Sequence, residues 1–534
     1  MATFTSLVDG DESLEAYWLT MLANELADDI PRLCKLRTFY DGAETVPVAT
    51  VPKNVDVTAS AVYQRFVAIC PADFARIIAD SVSSRQKPIG FRLVSDKAQR
   101  STEADMAWKK NSMDVKTRQV MHDVAVYGSG YFLVSPIPFP ERIRALSPWE
   151  ARVSANGEYA IMYSFNEFNE QETIGLTWIE RAEDGSIAHV WERKAVRDAN
   201  HASILLESQK DDIYKVYNQQ SATKTFSFPT DFKWESAAEE IGWAAECGHI
   251  PLVRIGSGSG MGQFEPHLPL LSAIDQQRFQ RFCIQEMQAF RQRAITGPLQ
   301  TRYKPDDPPV LQGLAKAGDM IDYSQAFTMG PAALWMLPND TSIWESQVTD
   351  VTQLVTAAAS DIKHLAAASG TPLDILSPDV AGSASGADLK REGLIFKVED
   401  LNARANEAFV QILRLAMAAD DTPIDVDEMF ETVWAPIAPD SDLNMAQAAG
   451  FVKEFLAPKT IMRRFLHMTE TEISEAMQDM ADSTYQNALT TAAAAAATDA
   501  AKQASDDSSG GFARVDDSED GVKALVDVGG ESNG

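Results

Sequence analysis

The sequence predicts an α+β protein, mainly helical, in which one antiparallel β-rich block is followed by unusually long helices. Hydrophobic residues step by three or four at first, turn to aromatic and β-branched runs between Tyr127 and about Arg254, then return to helical spacing. The later amphipathic stretches far exceed the usual mean of about 11 residues, which suits an elongated or oligomeric body. Across 534 residues, 45% apolar and 23% charged content is ordinary for a globular chain of several domains.

Taken in order, the first element is an amphipathic helical stretch from Leu14 to Leu26, ahead of Tyr40-Asp41-Gly42. A helix over Ala72–Ser83 follows, and Pro88-Ile89-Gly90-Phe91-Arg92 reads as a turn into a strand. Residues 101–126 carry a further helical pattern. Strands are expected at Tyr131-Phe132-Leu133-Val134, Tyr159–Tyr163 and Ile174–Ile179. Asp184-Gly185 separates two such runs, the second being Ile187–Val196, which is a hairpin signal.

Three long helices come next. The first is expected from Leu268 to Ile295, roughly 40 Å at 1.5 Å per residue. The second is expected over Ser342–Ala368, opening on a Ser342-x-x-Glu345 capping box, with a seam of Val348, Val351, Val355, Ala358, Ile362 and Leu365. The third opens with Ser385-x-x-Asp388 and runs to about Ala418. Residues 298–340 hold six of the 25 prolines, so a loop-and-strand insertion interrupts the helical pair. Between the second and third helices, residues 373–386 read as an exposed flexible loop. Shorter helices follow Asp440, with breaks at Gly450 and Ala457-Pro458 and a cap at Thr469-x-x-Glu472. Residues 499–534, with nine acids and three bases, suggest a disordered acidic tail.

Charge and motif content exclude more than they nominate. Seventy-seven acids against 47 bases leave a net charge of −30, which opposes a large phosphate-binding face. It does not oppose a wall past which nucleic acid slides without sticking. No apolar run is long enough for a membrane helix, and no basic N-terminal region precedes an apolar stretch, so neither a membrane nor a secreted protein is expected. Cys34, Cys70, Cys247 and Cys283 lie far apart, and Cys247-Gly-His249 supplies two of the four ligands that structural zinc needs. Neither a metal nor a cofactor is expected. Gly256-Ser-Gly258-Ser-Gly260-Met-Gly262 imitates a phosphate loop but lacks its Lys-Ser/Thr end. Alternating Gly and Ser reads better as a flexible hinge. Ser360-Asp-Ile-Lys363 matches Ser-x-x-Lys without its partner motifs. No active site is nominated, so a non-enzymatic chain is expected. Arg278, Arg281, Arg291 and Arg293 on one helix, and Lys390-Arg391 after the small-residue loop, read either as a solvated or inter-subunit face or as contacts to a passing polyanion.

Several stretches, in order, resemble the portal proteins of tailed phages, closest to those of siphovirus-type phages infecting actinobacteria. They are Arg76-Ile-Ile-Ala-Asp80-Ser with Gly90-Phe91-Arg92, Trp108-Lys-Lys-Asn111-Ser-Met-Asp114, and His122-Asp-Val-Ala-Val-Tyr127-Gly128-Ser-Gly130-Tyr131. Ser147-Pro148 and Ile250-Pro251-Leu-Val-Arg-Ile follow, then Ala366-Ala-Ala-Ser369-Gly370-Thr371-Pro372 and Ser385-Gly386-x-x-Leu389-Lys390. The resemblance covers roughly residues 15–480. Ala387-Asp388 departs from it, since relatives tend to place an acid and then an alanine there.

The resemblance implies the portal fold and a dodecameric ring at one capsid vertex of the virion, assembled in the host cytoplasm. Double-stranded DNA would enter through the ring during packaging and leave through it at ejection. The expected partners are terminase (a separate ATPase), a head-completion or tail adaptor protein, and major capsid and scaffolding proteins. Mapped onto the chain, it implies a wing over 1–264, a stem helix over 265–297 and a clip over 298–340. A second stem helix (341–372), a tunnel loop (373–386), a long wing helix and its return (387–440), a helical crown (441–490) and an acidic tail (491–534) complete it. Ala381, Gly382, Ser383, Ala384, Ser385 and Gly386, with Lys390 and Arg391, would face DNA. Arg302, Tyr303, Lys304 and Trp335 would dock partners at the clip. The rival readings are another phage head component, such as a minor capsid or adaptor protein, and a nucleotide hydrolase using residues 256–262.

Overall fold

In the computed structural model, the described residues are 5–44, 57–94, 101–137, 141–218, 225–289, 293–297, 300–323, 342–345, 347, 349–377, 384–420, 430–437, 449–464, 466, 468 and 470–507. The chain divides into two units, 1–439 and 440–534.

Unit one opens with helices α1 (Leu14–Tyr40), α2 (Val57–Ile69) and α3 (Phe74–Ser83), strand β1 (Pro88–Leu93), and helices α4 (Thr102–Lys110) and α5 (Met113–Tyr127). Helix α1 runs 14 residues beyond the expected stretch and passes through Pro31. Proline inside a helix costs about 3 kcal/mol. Leu19, Leu22, Leu26, Ile30, Leu33 and Phe39 are all buried in one core, and that packing outweighs the missing backbone donor.

The pattern over 101–126 is two helices rather than one. Ser112 takes φ +51° between them, and Asn111 turns its side chain to useful work there. Its Nδ2 donates to the Ala107 carbonyl (2.8 Å), while Oδ1 accepts from the backbone N–H groups of Arg142 (2.9 Å) and Ile143 (3.2 Å). The helix break therefore anchors a strand.

Strands β2 (Ser129–Val134), β3 (Ile143–Leu146), β4 (Ala151–Val153), β5 (Tyr159–Asn166), β6 (Gln171–Arg181) and β7 (Ile187–Asp198) follow, then α6 (Lys210–Asn218), β8 (Lys233–Trp234), β9 (Glu239–Glu240), α7 (Gly242–Cys247) and β10 (Leu252–Gly256). All their pairings are antiparallel: one sheet has the order β4-β5-β6-β7-β8 with β9 also on β7, another β10-β2-β3. The hairpin falls where Asp184-Gly185 predicts it, with Arg181 opposite Ile187.

The next segment departs from the expected helices. A short 3₁₀ turn, Glu265–His267, leads into α8 (Leu268–Ala289), which spans about 33 Å. Residues Arg293–Thr296 form strand β11, α9 is Pro308–Leu311, and Ser342–Glu345 forms β12, paired antiparallel with β11. The expected capping box at Ser342 is thus a strand. Ile343 and Trp344 are β-formers, and Arg293–Thr296 supplies a ladder partner that local spacing does not reveal. Helix α10 (Thr352–Ser369) starts ten residues later, where Asp350 Oδ1 accepts from the Thr352 N–H (2.8 Å). Val351 sits at its N-cap, and Val348 lies outside the described residues.

Helices α11 (Leu373–Leu376) and α12 (Ala384–Ala419) and strand β13 (Phe430–Trp434) complete the unit. Helix α12 is 36 residues long, and its buried Phe409 ring meets Trp108, Phe132 and Trp434 at 5.1, 6.3 and 5.8 Å between centroids. Strand β13 pairs with β1, which brings the chain back to its first strand.

Unit two contains α13 (Pro458–Arg464) and α14 (Glu470–Asp507), with Ile461 and Ile473 buried. Helix continues to Asp507, 17 residues into the expected tail, because the Ala492–Ala497 run has the highest intrinsic helix propensity. Residues 508–534 lie outside the described set.

Candidate assembly surface and helix joint

Helices α8 and α10 lie antiparallel. Gln277 Nε2 donates to Asp361 Oδ2 (2.6 Å), and Gln288 Nε2 to the Thr349 carbonyl (2.5 Å), so rising numbers on one helix meet falling numbers on the other. Helix α2 adds a third member, with Tyr63 and Phe66 against Phe279 and Phe282 at 6.4 and 6.0 Å. A cavity of about 370 Å³ remains between the three, lined by Tyr63, Phe279, Cys283, Ile284 and Leu354 together with Gln276 and Gln280.

The β11–β12 ribbon continues from this helix group, and the described residues 300–323 lie between its two strands in sequence. Arg302 forms an isolated bridge with Met320 and donates through Nη1 to the Gly318 carbonyl (2.6 Å). The Tyr303 N–H donates to the Asp319 carbonyl (3.0 Å), and the Lys304 N–H to Asp307 Oδ2 (2.6 Å). These three expected docking residues therefore share one exposed turn whose backbone is already closed on itself. Trp335, the fourth, lies outside the described residues. Sequence reasoning missed the apolar side chains beside them: Leu311, Leu314 and Met320 are 72, 78 and 72% exposed, and Trp344 is 55% exposed on the ribbon.

Of the expected DNA-facing residues, Ala381, Gly382 and Ser383 lie outside the described set. Ala384, Ser385 and Gly386 are already helical, so Ser385 sits inside the first turn of α12 rather than capping it. The expected loop 373–386 is shortened at its other end too, because Leu376 is buried in the core and Leu373–Leu376 winds into α11. Lys390 lies on α12, and Arg391 Nη2 donates to Asp374 Oδ2 (3.2 Å) in the same chain. Among the expected basic face, Arg278 lies near Asp275 and favours its charged form, and Arg281 stands over the Phe282 ring at 5.6 Å. Arg293 enters β11 instead of extending the helix, and Arg291 lies outside the described residues.

The Gly-rich segment 256–262 departs most from expectation. It is seated, not loose. The Ser257 N–H donates to the Gly128 carbonyl (2.9 Å) and the Gln263 N–H to the Ala125 carbonyl (2.7 Å). A Cβ on Gly262 would stand 2.0 Å from the Val126 carbonyl oxygen, and one on Gly128, at φ +86°, 2.4 Å from that of Gly260. Glycine is needed at 128 and 262 for close approach between two backbones. Arg32 closes the joint. Its Nε and Nη2 grip Glu265 at 2.7 and 2.6 Å, and Nη2 also donates to the carbonyls of Tyr127 (2.9 Å) and Gly260 (3.1 Å). Arg32 and Glu265 lie 233 residues apart in sequence, so no spacing could have announced the pair.

Buried polar groups elsewhere serve the fold. Tyr127 donates to Glu207 Oε1 (3.0 Å), which also accepts from Arg37 (3.1 Å), and burial pushes the Tyr127 hydroxyl well up. Glu44 and Asp275 share a buried contact, and burial followed by that contact raises Glu44, while burial raises Asp275. Ser360 and Lys363 are exposed on α10. Among the described residues, no group of three or more His, Cys, Asp or Glu side chains could hold a metal ion, and no helix is long and apolar enough to cross a membrane. All four cysteines are thiols.

No family model matches the sequence, and no curated protein matches it. Among solved structures, the chain is similar to one from the neck of an empty GTA particle computed with C6 symmetry. That similarity has 11% identity and a TM-score of 0.35, and covers 80% of this chain and 99% of the other.

Proposed function

We propose that the chain is a portal protein, a non-enzymatic subunit of a twelve-membered ring at a phage capsid vertex through which double-stranded DNA passes. One structural observation carries the reading alongside the ordered sequence motifs. An antiparallel helix pair, α8 and α10, brackets a ribbon-borne insertion, and a 36-residue helix then returns the chain to the β-rich body. The exposed apolar side chains of the described part of the insertion suit a docking end for terminase and a tail adaptor. The ring walls would be strongly acidic, which favours passage of DNA over retention. Identical copies would meet through two different faces, as closed cyclic rings require. The test is the mass of the purified assembly, with end-on negative-stain images. A closed ring with a central hole is expected. A species that stays at the 58.5 kDa monomer mass at micromolar concentration and modest salt sinks the reading.

A further inference from the structure

The segment joining β10 to α8 has the composition of a flexible linker and the geometry of a fixed seat. Gly and Ser alternate through it, which is the chemistry of loose chain. Its backbone is nevertheless pressed against the α5–β2 turn through the Ser257 and Gln263 N–H groups. Both of those are neutral hydrogen bonds, the weaker class. The charge-assisted contacts all involve Arg32 or Glu265, and the strongest is Arg32 on Glu265, a two-pronged grip of the kind that is roughly twice as strong. Glu265 opens the 3₁₀ turn that runs directly into α8, and its Oε2 also accepts from the Gly262 N–H (2.9 Å). Arg32 belongs to α1, in the body core, and Asp29 stands behind it at 3.4 Å, itself held by Arg152 at 3.0 Å. One guanidinium thus ties the body, the turn at Tyr127, the Gly-rich segment and the root of α8 together.

We infer that Arg32 is a latch: its grip on Glu265 and on the Tyr127 and Gly260 carbonyls fixes the direction in which α8 leaves the α/β body, and residues 256–264 act as a hinge when it is released. The inference does not depend on the ring. The latch sits at a half-open seam, where Arg32 is about one-third exposed, so water can replace its partners without unfolding the core. The glycines at 128 and 262 let the released segment return to a single seat, because nothing but backbone meets backbone there.

Hydrogen–deuterium exchange on the full chain tests this, comparing wild type with Arg32→Met, Arg32→Lys and Glu265→Gln. Exchange over 256–264 is expected to rise at least tenfold in Arg32→Met and Glu265→Gln, while α1, α5 and the six-stranded sheet keep their protection and the melting temperature moves little. Arg32→Lys should fall between, since one ammonium cannot reach Glu265 and both carbonyls together. Unchanged protection over 256–264 overturns the latch. So does an equal rise across α1 and α5, which would make Arg32 a general core tie. If Arg32→Met fails to fold, Glu265→Gln decides alone, because it keeps Arg32 and its two carbonyl contacts.

Discussion

Arg391 Nη2 stands 3.2 Å from Asp374 Oδ2, joining the second turn of α12 to the short helix α11 within one chain. Sequence reasoning offered that arginine two partners, passing DNA or an acid on a neighbouring subunit. Within the one chain its partner is Asp374, which fits the solvated face that the sequence also offered. Both side chains are over one-third exposed, at 37 and 41%, which places the pair in the weak class of about 0.2–1 kcal/mol. Arg391→Gln and Asp374→Asn should therefore each lower stability by under about 1 kcal/mol, with the double variant no worse than the poorer single. Chemical denaturation in a double-mutant cycle measures this. Fully additive losses would show that the two groups do not interact.

Glu172 is a far stronger node. It is fully buried and accepts from the Tyr163 hydroxyl (2.8 Å), the Ser203 hydroxyl (2.8 Å), the Ser203 N–H and Arg197 (2.5 Å). Glu172→Ala leaves the Tyr163 and Ser203 hydroxyls without this acceptor in the sheet and Arg197 with Asp231 as its remaining partner, and a loss of about 3 kcal/mol is expected. Glu172→Gln keeps the shape and should lose less. Urea midpoints at unchanged slope are the measurement.

Stability should depend on pH through Glu44 and Asp275. Burial raises both carboxyls, and the neighbouring Asp275 carboxyl raises Glu44 further. The unfolded chain ionises both above about pH 5. The folded chain keeps a proton on the pair into the neutral range, so it binds more protons than the unfolded chain there, and stability falls as pH rises. Glu44→Gln removes that titration. Its melting temperature should match wild type near pH 5 and exceed it at pH 8. Parallel curves at every pH would remove the pair from the account.

What the sequence made legible follows a physical line. Asp184-Gly185 and the Tyr131–Val134 run depend on neighbours a few residues away, and the hairpin and the strand stand where the spacing put them. Ser342-x-x-Glu345 misled because a capping box and a short strand share those residue types, and the deciding ladder partner, Arg293–Thr296, is about 50 residues distant. The Gly-rich segment misled for the same reason: its composition permits a hinge, while Arg32 and the Ala125 and Gly128 carbonyls hold it from remote positions. Of the candidate sites, Arg302, Tyr303 and Lys304 do lie together on an exposed turn. The partner of Arg391 was hidden because residues 373–376 read as loop.

Helix α14 owes its length to propensity, since most of its described surface is exposed. Ala494→Pro removes one backbone donor, strains the turn before it and should cost about 3 kcal/mol locally. Far-UV circular dichroism should lose signal equivalent to the last few turns, and protease should newly cut between 491 and 507. A protease map identical to wild type would mean that these turns are held by contacts other than their own backbone.

Leu311 and Leu314 offer the sharpest test of the insertion as a docking end. Both are exposed and sit where α9 and its closing turn meet solvent, so replacing them with serine removes apolar contact area without opening a core. Monomer melting should stay within a degree or two of wild type. If the insertion meets terminase, Leu311→Ser/Leu314→Ser rings should form normally while nuclease-protected DNA per particle falls at least tenfold. Burial of two leucines is worth about 1.5–3 kcal/mol each, and every 1.4 kcal/mol is a tenfold change in affinity, so a large effect is required. Rings that fail to form would instead make the patch a seam between neighbouring copies. Normal rings with normal packaging would leave the two side chains without a partner and remove the insertion from the docking end.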